Sequence, residues 1–246
     1  MTNSNLSILI TNDDGIDAIG IKILVKEALK YGHVTVIAPK KEQSAKSHSI
    51  IVRSPIEFCK TKDLIDGVCT YYADSTPADC VRIGHFYLNE KFDIILSGVN
   101  SGFNLGEDIT YSGTCAAATE AAMLGYKALA LSASFEDVEK IEKEVSASLD
   151  YVFTNMLLDI YSLYNINMPT SPKGFAFTRQ GKTHYFSYYK KDGNYLSSIG
   201  RPETTEDDIE YSDVDLTYKK YITITPLNYT RTNEDILKKL IKLKEN

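Results

Sequence analysis

The sequence lacks features that would place it in several common classes of protein. It contains no tryptophan, and no apolar run approaches the roughly 20 residues that a membrane-spanning helix requires. The first residues carry no basic segment, so we expect no signal peptide, no membrane attachment and a cytoplasmic location. Acidic residues outnumber basic ones, 33 against 27, and the net charge of −6 argues against binding a nucleic acid duplex through a basic face.

Several sequence motifs are also missing. The four cysteines, Cys59, Cys69, Cys80 and Cys115, form no C-x-x-C pair, so neither a zinc site nor a redox motif is indicated. We interpret them as reduced, structural thiols. The absence of a G-x-S-x-G elbow disfavours a Ser-His-Asp hydrolase. Neither G-x-G-x-x-G nor G-x-x-x-x-G-K-[ST] is present, which weakens dinucleotide-binding and P-loop interpretations.

What the chain does contain is typical of an α/β protein. Its 246 residues, 43% of them hydrophobic, suffice for one large core. Leu6 to Thr11 is a short, mostly apolar run, Ile19 to Tyr31 carries apolar residues at helical spacing, and Val34 to Ala38 is a second apolar run. Strand, helix and strand in this order predict a βαβ unit, and its two strands would be parallel. We therefore expect a doubly wound, mostly parallel sheet.

The same patterns continue along the chain. Thr76 or Ser75 can cap a helix that has Pro77 at its first position. One long amphipathic helix is expected from Val138 to Ile160, because apolar residues there recur every three or four positions. The other predicted elements are strands at Ile50 to Val52, Ile56 to Cys59, Cys69 to Ala73, Asp93 to Ser97 and Ala128 to Ser132, and a helix at Thr114 to Leu124.

The composition changes near Asn165. We divide the chain into an α/β catalytic core, residues 1–165, with a hairpin excursion near residues 50–73, and a β-rich extension with a terminal helix, residues 166–246. Thr232 to Asp235 has the pattern of a capping box that opens the last helix. Such an extension does not easily bury its own apolar face, so we expect it to be an oligomerisation arm.

Polar residues follow three of the predicted parallel strands. They are Asn12 to Gly15, Ser44 to Ser49 and Gly98 to Gly102, and ligands of open parallel sheets bind beyond the carboxyl ends of strands. A fourth group, Tyr111 to Thr114, directly precedes a helix whose free N–H groups attract anions.

The adjacent carboxylates of Asp13 and Asp14 are the strongest single feature. Neighbouring carboxylates repel each other in a tight turn, and a hard divalent cation relieves that repulsion. Ordinary surface turns also use N-D and D-G pairs, so the dipeptide alone leaves a structural role open. Amide and hydroxyl groups nearby favour Mg²⁺ or Mn²⁺ over Zn²⁺. His48 lies in the candidate loop, where solvent exposure or loop packing is favoured over a general-acid role.

Taken together, these stretches resemble the survival-protein SurE family of metal-dependent 5′/3′-nucleotidases. The resemblance runs from Ile8 to about Leu227. It is carried by the sequences ILITNDDGIDAIGI, VTVIAPKKEQSAKSHSI, DSTPADCVRIG, DIILSGVNSGFNLGEDITYSGTCAAATEAAMLG, NINMP, FTRQGKTHY and YITITPL. Ala45, Lys46 and Ser75 depart from the family's usual residues, but none of them replaces a proposed ligand.

The resemblance implies a three-layer α/β/α fold whose C-terminal arm is exchanged between subunits in dimers or tetramers. It also implies one divalent cation per subunit, Mg²⁺ or Mn²⁺. The implied metal ligands are Asp13, Asp14, Ser44 and Asn100. The implied catalytic residues are Asp13, Asp14, Asn12 and Ser112, and the implied phosphate-binding residues are Ser47, Gly113, Thr114 and Gly15.

The expected activity is hydrolysis of nucleoside 5′-monophosphates, and also of 3′-monophosphates, to nucleoside and inorganic phosphate. Donors at the helix start would stabilise charge on the phosphoryl oxygens. One aspartate can deprotonate the water or attack phosphorus, and the sequence does not separate these routes. The alternatives are a noncatalytic protein that binds metal and nucleotide, and a phospho-receiver-like signalling module. The receiver lacks support because its phosphoacceptor Asp and its Lys are missing or misplaced.

Overall fold

The apolar runs of the sequence form the strands of one large sheet in the computed structural model, which describes residues 5–88, 90–203 and 209–244. The strands are β1 (Leu6–Thr11), β2 (Gly32–Pro39), β3 (Phe58–Lys60), β4 (Cys69–Ala73), β5 (Ile94–Ser101), β6 (Lys127–Ala133), β7 (Leu163–Met168), β8 (Gly174–Phe177), β9 (His184–Asp192), β10 (Tyr195–Glu203) and β11 (Tyr221–Pro226).

The helices lie between these strands and after them. They are α1 (Ile19–Ala28), α2 (Pro77–Ile83), α3 (Gly113–Met123), α4 (Glu142–Thr154), α5 (Leu157–Ile160), α6 (Asp213–Tyr218) and α7 (Glu234–Lys244). Short 3₁₀ turns span Gly106–Thr110 and Val138–Lys140, and a π-helical turn spans Gly84–Leu88. Within the described part of the chain, none of these helices has the length and apolar character to cross a membrane.

The order of strands makes the sheet doubly wound, as predicted. It has nine strands in the order β3-β4-β2-β1-β5-β6-β7-β11-β8. Six neighbouring strands of the sheet are parallel to one another: β4, β2, β1, β5, β6 and β7. β3 is antiparallel to β4, and β11 is antiparallel to β7. From β1 the chain winds outward through β2 to β4 and then returns to β5 on the other side. The winding therefore reverses between β1 and β5, where doubly wound folds bind ligands.

Residues of β1 point alternately to the two faces of the sheet. Ile8 and Ile10 pack in one apolar cluster with α1 and α4, whereas Leu9 packs in a second cluster with α2 and α3. Because side chains of a strand alternate and both faces are covered by helices, the sheet is the middle of three layers. This confirms the α/β/α architecture.

α2 begins where the sequence predicts, and α3 begins at Gly113, one residue before the predicted Thr114. Thr76 caps α2, its side chain accepting a 3.2 Å hydrogen bond from the Asp79 N–H, and Pro77 is the first helical residue. Ser112 caps α3 in the same way, with a 3.1 Å bond from the Cys115 N–H. Each cap satisfies one backbone donor that has no partner inside the helix.

Three local predictions are wrong. Residues 50–52 form no strand, because the Ile51 N–H is donated to the Asp79 carboxylate at 2.8 Å instead of to a neighbouring strand. The strand predicted at Ile56 to Cys59 lies instead at Phe58–Lys60, which is β3, and pairs with β4 at the edge of the main sheet. The long helix predicted from Val138 to Ile160 is divided into a 3₁₀ turn, α4 and α5. Met156, with φ of 49°, adopts a left-handed conformation that ends the first run.

The region after residue 165 contributes to two sheets. β11 and β8 extend the nine-stranded sheet, whereas β9 and β10 form a separate antiparallel pair. α7 begins one residue later than the predicted capping box, because Asn233, not Thr232, accepts the Ile236 N–H at 3.0 Å.

Candidate metal and phosphate site

The turn after β1 contains a buried amide oxygen without a hydrogen-bond partner among the described residues. The Asn12 side chain donates from Nδ2 to the Gly15 carbonyl oxygen at 2.8 Å. Its other atom, Oδ1, is buried and has no hydrogen-bond partner among the described residues. Gly15 closes this turn with φ of +96°, a conformation that side chains disfavour. A buried acceptor without a donor is costly unless a ligand satisfies it.

Asp13 is buried and is held from the other side of the site by Thr114. The Thr114 N–H donates to Asp13 Oδ2 at 3.2 Å, and the Thr114 hydroxyl donates to Oδ1. Burial raises the pKa of Asp13 above its ordinary value, and the two bonds from Thr114 oppose that rise. Gly113 makes this approach possible, because a Cβ there would lie 2.9 Å from Asp13 Cβ.

Asp14 links the end of β1 to the end of β5. Its Oδ2 accepts the Ser101 N–H at 2.8 Å. Burial raises the pKa of Asp14 to about 6; the Ser101 bond opposes the shift, and the negative charges of Asp13 and Glu42 add to it. Two carboxyl groups with raised pKa values in one partly buried turn provide the negative field that a divalent cation requires.

Asn100, on β5, repeats the arrangement of Asn12. Its Nδ2 donates to the Gly102 carbonyl oxygen at 2.6 Å. With the amide nitrogen bound to the backbone in both residues, the amide oxygen of each remains the atom available to a ligand.

The loop after β2 reaches the same place through backbone contacts. The Gln43 N–H donates to the carbonyl oxygen of Asp13 at 2.7 Å, which brings the neighbouring Ser44 to this edge. The Ser44 hydroxyl donates to Glu42 Oε1 at 2.5 Å, and its side chain is exposed. Ser47 fastens the loop to the segment before α3, since its hydroxyl donates to the Thr110 carbonyl oxygen at 2.8 Å.

The described donor set fits a hard cation. Among residues 5–88, 90–203 and 209–244, no three His, Cys, Asp or Glu side chains gather as metal ligands. The residues that do converge offer carboxylate, amide and hydroxyl oxygens, which suit Mg²⁺ or Mn²⁺ better than Zn²⁺. The partnerless Asn12 Oδ1 and the two destabilised carboxylates are what a bound cation would compensate.

The N-terminus of α3 faces this donor set. Gly113 is the first helical residue, so its N–H has no acceptor within the helix. The Ser112 hydroxyl oxygen accepts the Cys115 N–H, and its own proton can be donated to a ligand. Thr114 donates both its N–H and its hydroxyl to Asp13, and its contact with phosphate stays a prediction.

Sequence reasoning missed three groups around the site. Glu42 lies close enough to raise the pKa of Asp14, and the backbone of Ser101 binds the same carboxylate. Glu120, on α3, accepts from His48 Nε2 and from Arg82 Nη1, each at 2.8 Å. His48 is thus a hydrogen-bond partner of Glu120. Glu120 carried no signal in the sequence, since it lies within an alanine-rich helix far from either partner.

Comparisons with known proteins identify the family of this chain. Residues 8–187 match the family described as Survival protein SurE. A 5′-nucleotidase SurE of Thermosipho africanus is 38% identical over 249 residues, covering 96% of each chain. A 5′-nucleotidase SurE of Clostridium beijerinckii is 36% identical, covering 98% of this chain and all of its own. The crystal structure of the SurE protein from Aquifex aeolicus superposes with a TM-score of 0.76 at 31% identity, over 97% of this chain and 99% of that one. The chain therefore belongs to the survival protein SurE family.

Proposed function

We propose that this chain is a 5′-nucleotidase that hydrolyses nucleoside 5′-monophosphates, and also 3′-monophosphates, to nucleoside and inorganic phosphate. Family membership implies a divalent metal cofactor and a nucleotide substrate. The observation that carries the proposal is that two acidic side chains at the reversal point of the sheet lie beside the N-terminus of α3, where the Gly113 N–H has no acceptor within the helix. Acidic side chains can hold a divalent cation, and a phosphate monoester needs such a cation to neutralise its charge as well as donors for its oxygens.

One cation per subunit, Mg²⁺ or Mn²⁺, would be held by Asp13, Asp14, Ser44 and Asn100. When bound, it neutralises phosphoryl oxygen charge and orients the attacking water. The Asn12 and Asn100 amide oxygens are oriented by the bonds of their own nitrogens to backbone carbonyls. No side chain has to reorganise to present these two oxygens, which favours a preformed site.

The residues at the start of α3 would bind the phosphoryl group. The Gly113 N–H and the Ser112 hydroxyl are donors that the helix itself does not use, and the helix dipole adds positive potential there. Thr114 acts indirectly, because it holds the Asp13 carboxylate in place with two hydrogen bonds. Ser47 would shape the phosphate-binding loop by fixing it to Thr110.

Phosphate release from a panel of nucleoside 5′- and 3′-monophosphates tests the activity. We expect release with Mn²⁺ or Mg²⁺, none in EDTA, and recovery when metal is restored. Nucleotide that binds with metal and stays intact would contradict the enzyme and support a noncatalytic binding protein. Crystals soaked in manganese should show one anomalous peak per subunit, beside Asp13 and Asp14.

We also propose that the chain forms a homodimer or homotetramer through its C-terminal extension. The β9–β10 pair carries exposed Tyr189, Tyr195 and Leu196, and isolated two-stranded sheets are marginally stable. α7 exposes an apolar stripe of Ile236, Leu237, Leu240 and Ile241. Such surfaces are typical of contacts between subunits. Light scattering after size-exclusion chromatography measures the assembly, and a monomer would contradict it. The cytoplasmic location stays a prediction, to be tested with a fluorescent fusion.

A further inference from the structure

The backbone of the loop after β2 is held on both sides of Ser44. On one side, the Gln43 N–H donates to the Asp13 carbonyl oxygen at 2.7 Å. On the other side, the Ser47 N–H donates to the Tyr111 carbonyl oxygen at 2.9 Å. Ser47 has a φ of 54°, a conformation that a residue other than glycine keeps only where its surroundings hold it. These contacts fix the backbone around Ser44 but not the rotation of its hydroxyl group.

The Ser44 hydroxyl has an acceptor for its proton within the same loop. A serine hydroxyl carries one proton and two lone pairs, so it can donate one hydrogen bond while a lone pair binds a cation. A cation repels the proton, so a ligating hydroxyl needs an acceptor in another direction. Glu42 supplies it, because its Oε1 accepts from Ser44 Oγ at 2.5 Å. Hydrogen bonds from a hydroxyl to a carboxylate are about twice as strong as neutral ones.

We propose that Glu42 is a positioning residue of the metal site. By accepting the hydrogen bond from the Ser44 hydroxyl, it leaves the lone pairs of Ser44 Oγ available to the cation. The inference rests on the proposed function, since it needs Ser44 as a metal ligand. Groups that orient a metal ligand change metal affinity about 10- to 100-fold when they are removed. Glu42 is not itself a ligand, and its hydrogen bond acts on the cation through Ser44.

The charge of Glu42 has to be separated from its hydrogen bond. Its negative charge also acts on Asp13 and Asp14. Glu42→Gln removes the charge and keeps a carbonyl oxygen that can accept from Ser44. Glu42→Leu removes the charge and the acceptor together. Both variants are uncharged and similar in size, so the difference between them isolates the acceptor.

Mn²⁺ affinity, measured without substrate, tests the positioning role. The electron paramagnetic resonance signal of free Mn²⁺ and calorimetry each give a Kd. We expect the Kd of Glu42→Leu to exceed that of Glu42→Gln about ten-fold. In a Ser44→Ala background the two should have the same Kd, because no hydroxyl remains for Glu42 to hold. Glu136→Leu and Glu136→Gln, at an exposed position outside this loop, are matched controls and should keep the wild-type Kd.

Phosphate release separates positioning from a direct catalytic role. Saturating Mn²⁺ should restore the activity of Glu42→Leu to within about two-fold of Glu42→Gln, because only metal affinity depends on the acceptor. A loss that persists at saturating Mn²⁺ would make Glu42 a catalytic residue and overturn the inference. Circular dichroism checks that each variant is folded.

The binding data also separate this inference from the proposed function. A Kd difference that depends on Ser44 supports the positioning role even if no nucleotide is hydrolysed. Equal Kd values for Glu42→Leu and Glu42→Gln, or a difference that persists with Ser44→Ala, overturn it even if the wild type releases phosphate. A wild-type chain that binds no Mn²⁺ would contradict the metal site and the role of Glu42 together.

Discussion

The end of β1 and the C-terminal elements β9, β10 and α7 show opposite relations between polarity and burial. At the end of β1, Asn12, Asp13 and the facing Thr114 are polar and almost completely buried. In the C-terminal elements, by contrast, Leu196 and Leu240 are apolar and more than half exposed. A buried polar group and an exposed apolar one are each unfavourable in an isolated chain.

The two regions therefore need different partners. The buried polar region needs a small, charged ligand, because Asn12 Oδ1 lacks a donor among the described residues and the carboxyl groups of Asp13 and Asp14 have raised pKa values. The exposed apolar region needs a large, apolar surface, which a second copy of the chain can supply. Substitutions in the first should change catalysis, and substitutions in the second should change assembly.

The largest effect on activity is expected from removing a negative charge in the buried polar region at the end of β1. Asp13→Asn keeps the shape of the side chain but removes a negative ligand, and metal catalysis contributes several kcal/mol, so activity should fall about 1,000-fold or more. Phosphate release is measured at saturating Mn²⁺, and calorimetry measures metal affinity. Asp66→Asn, an exposed aspartate, is the control and should remain fully active. Near wild-type turnover of Asp13→Asn would show that the metal site is misassigned.

A smaller loss is expected when the fit between Asp13 and α3 is disturbed. In Gly113→Ala the new Cβ would lie 3.0 Å from Asp13 Oδ2 and 3.2 Å from Pro77 Cγ, so the carboxylate must shift. A displacement of this kind costs about 100-fold in activity, and overpacking costs about 1–3 kcal/mol in the free energy of unfolding.

Gly67→Ala is the matched control for that variant. Gly67 has a positive φ, of +85°, but a Cβ added there would meet no surrounding atom within 4 Å. It should lose stability through backbone strain and keep its activity. Urea unfolding and steady-state kinetics measure both variants. Equal activity of the two would contradict the role of Gly113 in placing Asp13.

The exposed apolar region is tested through assembly. Leu240→Glu places a charge on the apolar stripe of α7 and should weaken subunit association about ten-fold or more, because a buried charge without a partner is costly. Light scattering should then approach the 27.5 kDa of one chain. Lys239→Glu, on the polar side of the same helix, should leave the mass unchanged. An unchanged assembly in Leu240→Glu would place the interface elsewhere.

The smallest effect is expected at Glu120, which joins the loop containing His48 to α2 and α3. The hydrogen bond from His48, followed by the bond from Arg82, lowers the pKa of Glu120 below its ordinary 4.5. The ionised carboxylate of Glu120 therefore stabilises the fold fully at pH values above 4.5. This contribution is lost as the pH falls through the lowered pKa of the folded state. Glu120→Gln should cost about 1 kcal/mol at pH 7, since both partners are partly exposed.

Urea unfolding at neutral and at acid pH measures this contribution. The difference between wild type and Glu120→Gln should shrink as the pH falls below 4.5, whereas Glu136→Gln, at an exposed position, should show no such dependence. A difference that stays constant across this range would mean that the charge of Glu120 does not stabilise the fold.

The sequence predicted elements best where the cause is local. The cap at Thr76 follows from a capping residue directly before Pro77, and the strand at Leu6–Thr11 follows from a short apolar run. Prediction from the sequence failed where the tertiary structure overrides the hydrophobic pattern. The Ile51 N–H binds Asp79, and the break at Met156 has no glycine or proline to mark it. The periodicity of apolar residues alone predicts neither the bond to Asp79 nor the break at Met156.

The order of residues along the chain determined which chemical groups follow each strand, because covalent neighbours share one element and one end of it. It therefore determined the α/β class, and it placed Asp13 and Asp14 directly after β1 and Asn100 at the carboxyl end of β5. Tertiary structure alone decided that Thr114, 101 residues from Asp13, binds that carboxylate. It likewise decided that Glu120 joins His48 to Arg82. Such contacts depend on the winding of the sheet and on the depth at which α3 packs, and neither is encoded in any short stretch of sequence.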